Sequence, residues 1–323
     1  MQWRTELHIA EKYPFLTHTH KILTLGSCFA DAIGKKLAEN KWQVAINPFG
    51  TIYNPVSIFR LLRFCAGVEL PQSKFCVENP EKIWFHYDFH SALRAETQET
   101  LWQNIREKVS QTAQFFANTS IILLTFGTAW AYETAEKHLV ANCHKMPASL
   151  FQKRLLSVEE ILTDFEQSVS ILQGKKVILT ISPVRHLKDT LPLNSVSKAV
   201  LRLACHYLQE KYENVHYFPA FELVMDDLRD YRFYTDDLLH VTPQAENYIW
   251  QKFQETFIPA ETQKMLAEWQ KISQKIQHKP FNPKGEAHQK FLKNLLQELQ
   301  AMQKNLDVSK EIAEVQRQIQ NFV

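Results

Sequence analysis

Three side chains in this sequence have the chemical types needed to activate a hydroxyl group for nucleophilic attack. Asp237 and His240 are separated by two residues in the stretch DDLLHVT, so one turn can present both side chains to a common point. A carboxylate orients an imidazole, and an imidazole takes a proton from a serine. Ser27, in the stretch GSCFA, is the serine that we expect in this role. Its alternative role is that of a helix N-cap, which serine commonly fills.

The segment that contains this serine has the pattern of a strand, a sharp turn and a helix. Residues 22–25 include an apolar run typical of a parallel strand buried on both faces, and Gly26 ends it. Phe29, Ile33 and Leu37 then recur at every fourth position, which is one face of a helix. A side chain at such a junction projects into the crevice where open α/β sheets bind ligands.

Further apolar runs alternate with helical patterns along the chain. Residues 121–125, 176–182 and 214–218 have the composition of buried strands, and the stripe formed by Val196, Val200, Leu203 and Tyr207 predicts a helix between the last two. This alternation predicts a doubly wound, flavodoxin-like parallel sheet between two layers of helices, with right-handed crossovers.

The composition changes near residue 258, so we expect a domain over residues 1–258 and a helical C-terminal extension over residues 259–323. The extension carries three apolar stripes at spacings of three and four residues. Such stripes pack on their own chain or form the seam of a homodimer, and the sequence leaves both arrangements open.

The order of these blocks resembles that of the SGNH, or GDSL, hydrolase superfamily, in which a serine block opens the domain and a DxxH block closes it. GSCFA at residues 26–30 is similar to the signature of the GSCFA domain family, as are NPFGTIYNP, TFGTAWAYE and SPVRHLKD farther along. The resemblance implies a three-layer α/β/α fold. It also implies that Ser27 is the nucleophile, His240 the general base and Asp237 the carboxylate that orients it.

The function implied by this resemblance is that of a serine hydrolase, an esterase or deacylase. Its substrate would be a small-molecule or carbohydrate O-acyl ester, cleaved through an acyl-serine intermediate. Two alternatives remain open at this point: an O-acyltransferase acting on a glycan, and a ligand-binding module without catalysis.

The sequence departs from the superfamily at the positions that stabilise the oxyanion. The stretch FGTAW has Ala129 where the superfamily has an asparagine, and the loss of one such donor costs about a hundredfold to a thousandfold in rate. Gly50 can stand for the glycine that the superfamily uses as an oxyanion donor, and the candidate replacements for the asparagine are Thr128, Asn54 and Asn47. The GDS-type block reads GSC here, and we interpret Cys28 as a small apolar residue rather than as an alternative nucleophile.

Four residues are candidates for substrate binding: Asn47, Trp130, Arg185 and His186. Arg185 and His186 follow a predicted strand and so face the same crevice. An arginine binds carboxylate or phosphate groups, a histidine contacts sugar hydroxyls, and a tryptophan stacks on a sugar ring. The alternative for each of these residues is a structural role, in a salt bridge, a hydrogen bond or core packing.

The composition excludes several classes of partner. A net charge of +2 and a pI near 8.2 give no bias toward nucleic acid or an anionic membrane. Five scattered cysteines without a CxxC pair predict reduced thiols and no zinc site, and we expect neither a metal nor a cofactor. With no apolar run of membrane-spanning length and no secretory signal, we expect a cytoplasmic protein.

Overall fold

The computed structural model describes residues 4–278, 280–282 and 285–320. Its strands are β1 (Lys21–Gly26), β2 (Gln43–Ile46), β3 (Cys76–Glu78), β4 (Trp84–His86), β5 (Ile121–Phe126), β6 (Trp130–Thr134), β7 (Leu139–Val140), β8 (Phe151–Leu155), β9 (Lys176–Ile181) and β10 (Val215–Phe218). Five of them form a parallel sheet in the order β2-β1-β5-β9-β10. This is the strand order of flavodoxin-like folds, so the predicted fold class is confirmed.

The helices are α1 (Cys28–Glu39), α2 (Pro55–Ala66), α3 (Gln98–Ala117), α4 (Val158–Glu166), α5 (Leu191–Lys211), α6 (Ala220–Glu222), α7 (Pro243–Phe257), α8 (Ala260–Gln277), α9 (Glu286–Met302) and α10 (Ser309–Gln320). Different helices cover the two faces of the parallel sheet. Leu23 and Leu25 of β1 face a core shared with α2, α3, α4 and α5, whereas Ile22 faces a second core shared with α1 and α7. The strand alternates between two apolar cores, as a central strand of a three-layer fold must.

Two small antiparallel sheets lie outside the parallel sheet. β3 pairs with β4, and β6 pairs with both β7 and β8. The strands of these sheets have two to five residues each. The second sheet matters for the site because β6 begins at Trp130, directly after the turn that follows β5.

The C-terminal helices α8, α9 and α10 share a core of their own and also contact the main domain. The Trp269 indole donates a hydrogen bond to the Glu39 carbonyl at 2.8 Å, and Lys41 pairs with Glu311 at 2.6 Å. The apolar stripes thus pack on their own chain, and a homodimer through these helices stays a prediction. None of the helices in the described ranges is long and apolar enough to span a membrane.

Helix α5 is present as predicted, but the stripe that predicted it lies on the exposed side. Val196, Leu203 and Tyr207 are 44 to 48% exposed. The helix has two apolar faces, and the one that packs on the sheet also carries polar side chains that bond to strand ends. Its buried residues are Asn194, Ser197, Lys198, Leu201, Ala204, Cys205 and Leu208.

Candidate active site

The turn between β1 and α1 is held by a network of hydrogen bonds around Asn47. Its Oδ1 accepts from the Gly26 backbone N–H at 2.8 Å, and its Nδ2 donates to Asp31 Oδ1 at 2.7 Å. Ser27 is the N-cap of α1: its Oγ accepts from the Phe29 backbone N–H at 3.3 Å, and the residue is 1% exposed. The sequence left two roles open for this serine, and the structure places it in the capping position.

A cavity of about 580 Å³ opens at the carboxyl edge of the sheet, beside the ends of β1, β5 and β9. This is the edge where doubly wound folds bind ligands. Six residues singled out from the sequence line it: Asn54, Thr128, Trp130, Arg185, His186 and His240. Cys28 also lines the cavity, whereas Ser27, Asn47 and Gly50 are not among its lining residues.

The DxxH stretch brings its two chemical groups into contact. His240 Nδ1 lies 2.6 Å from Asp237 Oδ2, and Asp237 Oδ1 accepts from the backbone N–H groups of Leu239 and His240 at 2.8 and 3.0 Å. The hydrogen bond from the His240 side chain, followed by those from the backbone, holds the pKa of Asp237 well below its usual range. The carboxylate therefore stays ionised and fixes the imidazole by Nδ1, leaving Nε2 as its free nitrogen.

The two halves of the predicted triad are not joined by a hydrogen bond: within the described residues, none links Ser27 to His240. Cys28, the next residue, shares the cavity with His240. Burial and the negative charge of Asp31 raise the pKa of the Cys28 thiol, while the backbone N–H groups of Cys28 and Phe29 oppose this shift. The thiol is therefore protonated in the resting protein at neutral pH.

Two of the candidate oxyanion donors line the cavity but already have protein partners. Thr128 Oγ1 lies 3.0 Å from Ser197 Oγ. Asn54 is the N-cap of α2, with its Oδ1 accepting from the Ser57 backbone N–H at 2.8 Å and its Nδ2 donating to Ser57 Oγ at 3.0 Å. The amide of Asn54 has a second N–H, and either hydroxyl of the Thr128–Ser197 pair can be the donor, so these bonds leave both side chains able to donate to an oxyanion.

Gly50, the third candidate oxyanion donor, is engaged elsewhere. Its N–H donates to the Asn47 carbonyl at 2.7 Å, and it lines a separate cavity with Leu93. Its φ is +80°, and a Cβ there would meet His90 Cβ at 2.4 Å. Close packing against His90 therefore accounts for the glycine, and Asn47 likewise serves the turn rather than the cavity.

Arg185 binds the loop that carries the Asp237–His240 pair. Its guanidinium lies over the Tyr234 ring, 4.2 Å from the centroid, and donates a hydrogen bond to the Leu238 carbonyl. These contacts connect the segment after β9 to the DxxH turn. The arginine thus holds the turn in place and at the same time lines the cavity.

Trp130 and His186 form part of the cavity wall. The Trp130 indole donates to the Leu193 carbonyl at 3.2 Å, and the Lys153 ammonium lies 5.0 Å from the ring centroid. Burial lowers the pKa of His186 to about 4, so its imidazole is neutral at physiological pH. A neutral imidazole can both donate and accept a hydrogen bond, which suits contact with hydroxyl groups.

The sequence analysis missed Lys198, which lies behind this site. The residue is 2% exposed, and its Nζ donates to the carbonyls of Gly127 and Ser182, each at 2.7 Å. Burial lowers its pKa to about 7, and electrostatic interaction with Cys28 opposes that shift. A signal existed in the sequence, because Lys198 shares a helical face with Leu201 and Cys205 at spacings of three and four.

Replacing Lys198 with methionine should change how stability depends on pH. The pKa is about 7 in the folded chain against an ordinary 10.5, so between these values the unfolded chain binds a proton that the folded chain has released. The contribution of Lys198 to the free energy of unfolding of the wild type therefore rises with pH across this window. The Lys198→Met variant lacks this contribution. Urea denaturation at several pH values measures the difference between the two proteins.

The control for this experiment is Lys188→Met, which changes an exposed lysine. Its stability should differ from that of the wild type by the same amount at every pH in the window. If the difference in the free energy of unfolding between Lys198→Met and the wild type is also the same at every pH, the pKa of Lys198 is not lowered in the folded chain.

The residues of the described ranges include no group of three or more His, Cys, Asp or Glu side chains placed to hold a metal ion. All five cysteines are free thiols. The side chains that line the cavity include the imidazoles of His186 and His240, the thiols of Cys28 and Cys143 and the hydroxyl of Thr128.

The fold and this site define a doubly wound α/β protein with a cavity at the carboxyl edge of its sheet. The chain belongs to the GSCFA family, whose profile matches residues 21–253. Residues 269–321 match a second profile, described as the C-terminal domain of GSCFA domain proteins. Searches of curated proteins and of solved structures found no match.

Proposed function

We propose that this protein is an acyl hydrolase, an esterase or deacylase, that cleaves a small-molecule or carbohydrate O-acyl ester through a covalent acyl-enzyme. The observation that carries the proposal is the 2.6 Å contact between His240 Nδ1 and Asp237 Oδ2 at the wall of the cavity. An imidazole fixed in this way by an ionised carboxylate is the general base of covalent acyl transfer.

The site supports the two proton transfers of this reaction. The imidazole removes the proton of the nucleophile at the β1–α1 junction as that atom attacks the ester carbonyl carbon. It then returns the proton to the departing alcohol oxygen as the ester C–O bond breaks, which leaves the acyl group on the enzyme. Water, deprotonated by the same imidazole, attacks the acyl group; the bond between the acyl carbon and the nucleophile breaks, the acid leaves, and the nucleophile recovers its proton from the imidazolium. Ser27 is the nucleophile predicted from the sequence, and to react its Oγ must turn away from the Phe29 N–H.

The cavity wall supports a substrate of moderate size with hydroxyl groups. A volume of about 580 Å³ lies in the range of small-molecule sites. Trp130 offers an aromatic surface, and Lys153, Asp189 and neutral His186 offer hydrogen-bonding groups around it. This combination favours a sugar or polyol ester over a purely aliphatic one.

The test is hydrolysis of a panel of p-nitrophenyl esters and acetylated sugars by purified wild-type protein and by Asp237→Asn. The amide cannot fix the imidazole as an ionised carboxylate does, so we expect turnover to fall by about a hundredfold or more. Asp236→Asn is the matched control, since it removes the adjacent exposed carboxylate and should leave turnover unchanged. Equal rates in the two variants would refute the assignment of Asp237.

Product analysis separates hydrolysis from O-acyl transfer to a glycan. With an unacylated sugar present, a hydrolase releases the free acid, whereas a transferase moves the acyl group to the sugar. The missing hydrogen bond between Ser27 and His240 favours a second candidate, a ligand-binding module. That candidate predicts sugar binding by calorimetry in a folded protein that hydrolyses no ester of the panel.

A further inference from the structure

The cavity presents a different nucleophile from the one that the sequence suggests. Ser27 is 1% exposed and its Oγ is used to cap α1, whereas Cys28, the first residue of that helix, lines the cavity together with His240. For Ser27 to attack a bound ester, the cap must break and the side chain must reach a cavity that it does not line. The Cys28 side chain requires neither change.

A second feature of the site concerns the charge that a reacting thiol would acquire. Lys198 is 2% exposed, and the acceptors of its ammonium are two carbonyl oxygens, which carry no formal charge. A buried cation without a counter-ion is costly. Cys28 interacts electrostatically with this lysine in the direction that favours its charged form. A thiolate at Cys28 would therefore supply the anion that balances the buried ammonium.

The first turn of α1 adds to this stabilisation. The backbone N–H groups of Cys28 and Phe29 act on the sulfur in the direction that favours the thiolate, as N–H groups at a helix start do. Burial and Asp31 act in the opposite direction and dominate in the resting protein. The thiol therefore needs a base to react, and the imidazole of His240 lines the same cavity.

We propose that Cys28, rather than Ser27, is the nucleophile that works with the Asp237–His240 pair, so that the acyl-enzyme is a thioester. This inference rests on the proposed acyl hydrolase function. His240 Nε2 takes the thiol proton as sulfur bonds to the ester carbonyl carbon. The ester C–O bond then breaks, and the alcohol leaves with that proton. Water deprotonated by His240 attacks the thioester, the C–S bond breaks, and the sulfur recovers its proton from the imidazolium.

The first experiment compares Cys28→Ala and Ser27→Gly in ester hydrolysis. Glycine removes the hydroxyl yet is tolerated at an N-cap with little loss, so in Ser27→Gly the acyl adduct should still form on Cys28. Cys28→Ala should lose at least about a hundredfold, because it removes the attacking atom. Circular dichroism confirms that each variant is folded.

The second readout locates the acyl group. After acid quench during turnover, peptide mass spectrometry should find the acyl adduct on Cys28, and neutral hydroxylamine should remove it, as expected of a thioester. Iodoacetamide should alkylate Cys28 faster in the wild type than in His240→Ala. Cys143 lines the same cavity, and burial raises its pKa to about 11, so it serves as the internal control thiol.

The outcomes separate this inference from the function on which it rests. An acyl adduct on Ser27 of the wild type, together with loss of turnover in Ser27→Gly, would overturn the thiol assignment and leave the acyl hydrolase in place. Absence of turnover in the wild type would refute the proposed function. In that case, the alkylation rates of Cys28 in the wild type and in His240→Ala still test the pairing of thiol and imidazole. Equal rates would refute the pairing, and a faster rate in the wild type would support it.

Discussion

Replacing His240 with alanine should reduce ester turnover by about a thousandfold or more, which is the scale seen when an essential member of an acyl-transfer triad is removed. In the proposed reaction the imidazole carries out both transfers of this proton, first from the nucleophile and then to the leaving alcohol. His186, which also lines the cavity, is a poor substitute for this base because burial keeps its pKa near 4. Steady-state kinetics with the best ester of the panel measures the loss.

The matched control is His206→Ala, which changes an exposed histidine on α5 that pairs with Glu210. Its turnover should equal that of the wild type. The His240 side chain is half exposed, and its contact with Asp237 is a surface pair, so both variants should melt close to the wild-type temperature. Turnover retained in folded His240→Ala would remove the general base from the mechanism.

The sequence predicted the fold well because the parallel sheet depends on a simple pattern. Each central strand lies between two apolar cores, so its residues form a continuous apolar run such as residues 121–125, and this run is visible in the sequence. The contact within the DxxH stretch could be predicted for a similar reason. Its hydrogen bonds form within one turn, so the spacing of Asp237 and His240 was enough to predict their contact.

The remainder of the site depends on long-range contacts, which spacing does not encode. Helical spacing places Lys198 on an apolar face of α5, but it does not encode the two carbonyls after β5 and β9 that accept its hydrogen bonds. Gly50 matches a family block, yet its close packing on His90 is set by a residue 40 positions away in the chain. At the β1–α1 junction, neighbouring residues face different surroundings, and only the geometry of the turn separates Ser27 from Cys28.

The glycine that precedes this junction carries the second large effect that we predict. Gly26 has a φ of +143°, and a Cβ built on it would lie 2.2 Å from the Thr125 carbonyl oxygen of the neighbouring strand. That atom belongs to the backbone of β5 and accepts from the Ser27 N–H at 3.0 Å, so it cannot move without disturbing the sheet. Gly26→Ala should therefore lower the free energy of unfolding by at least about 3 kcal/mol, the upper range of backbone strain. Urea denaturation measures this loss.

Gly67→Ala is the control that distinguishes the steric cost of the close approach between β1 and β5 from the conformational cost of a positive φ. Gly67 has a φ of +70°, and a Cβ there would meet nothing within 4 Å, so this variant pays only for the left-handed conformation, about 1–2 kcal/mol. Similar losses in the two variants would mean that β1 and β5 can separate to admit a methyl group. A much larger loss for Gly26→Ala, with the melting transition still cooperative, would show that the contact between β1 and β5 fixes the turn that presents Cys28 to the cavity.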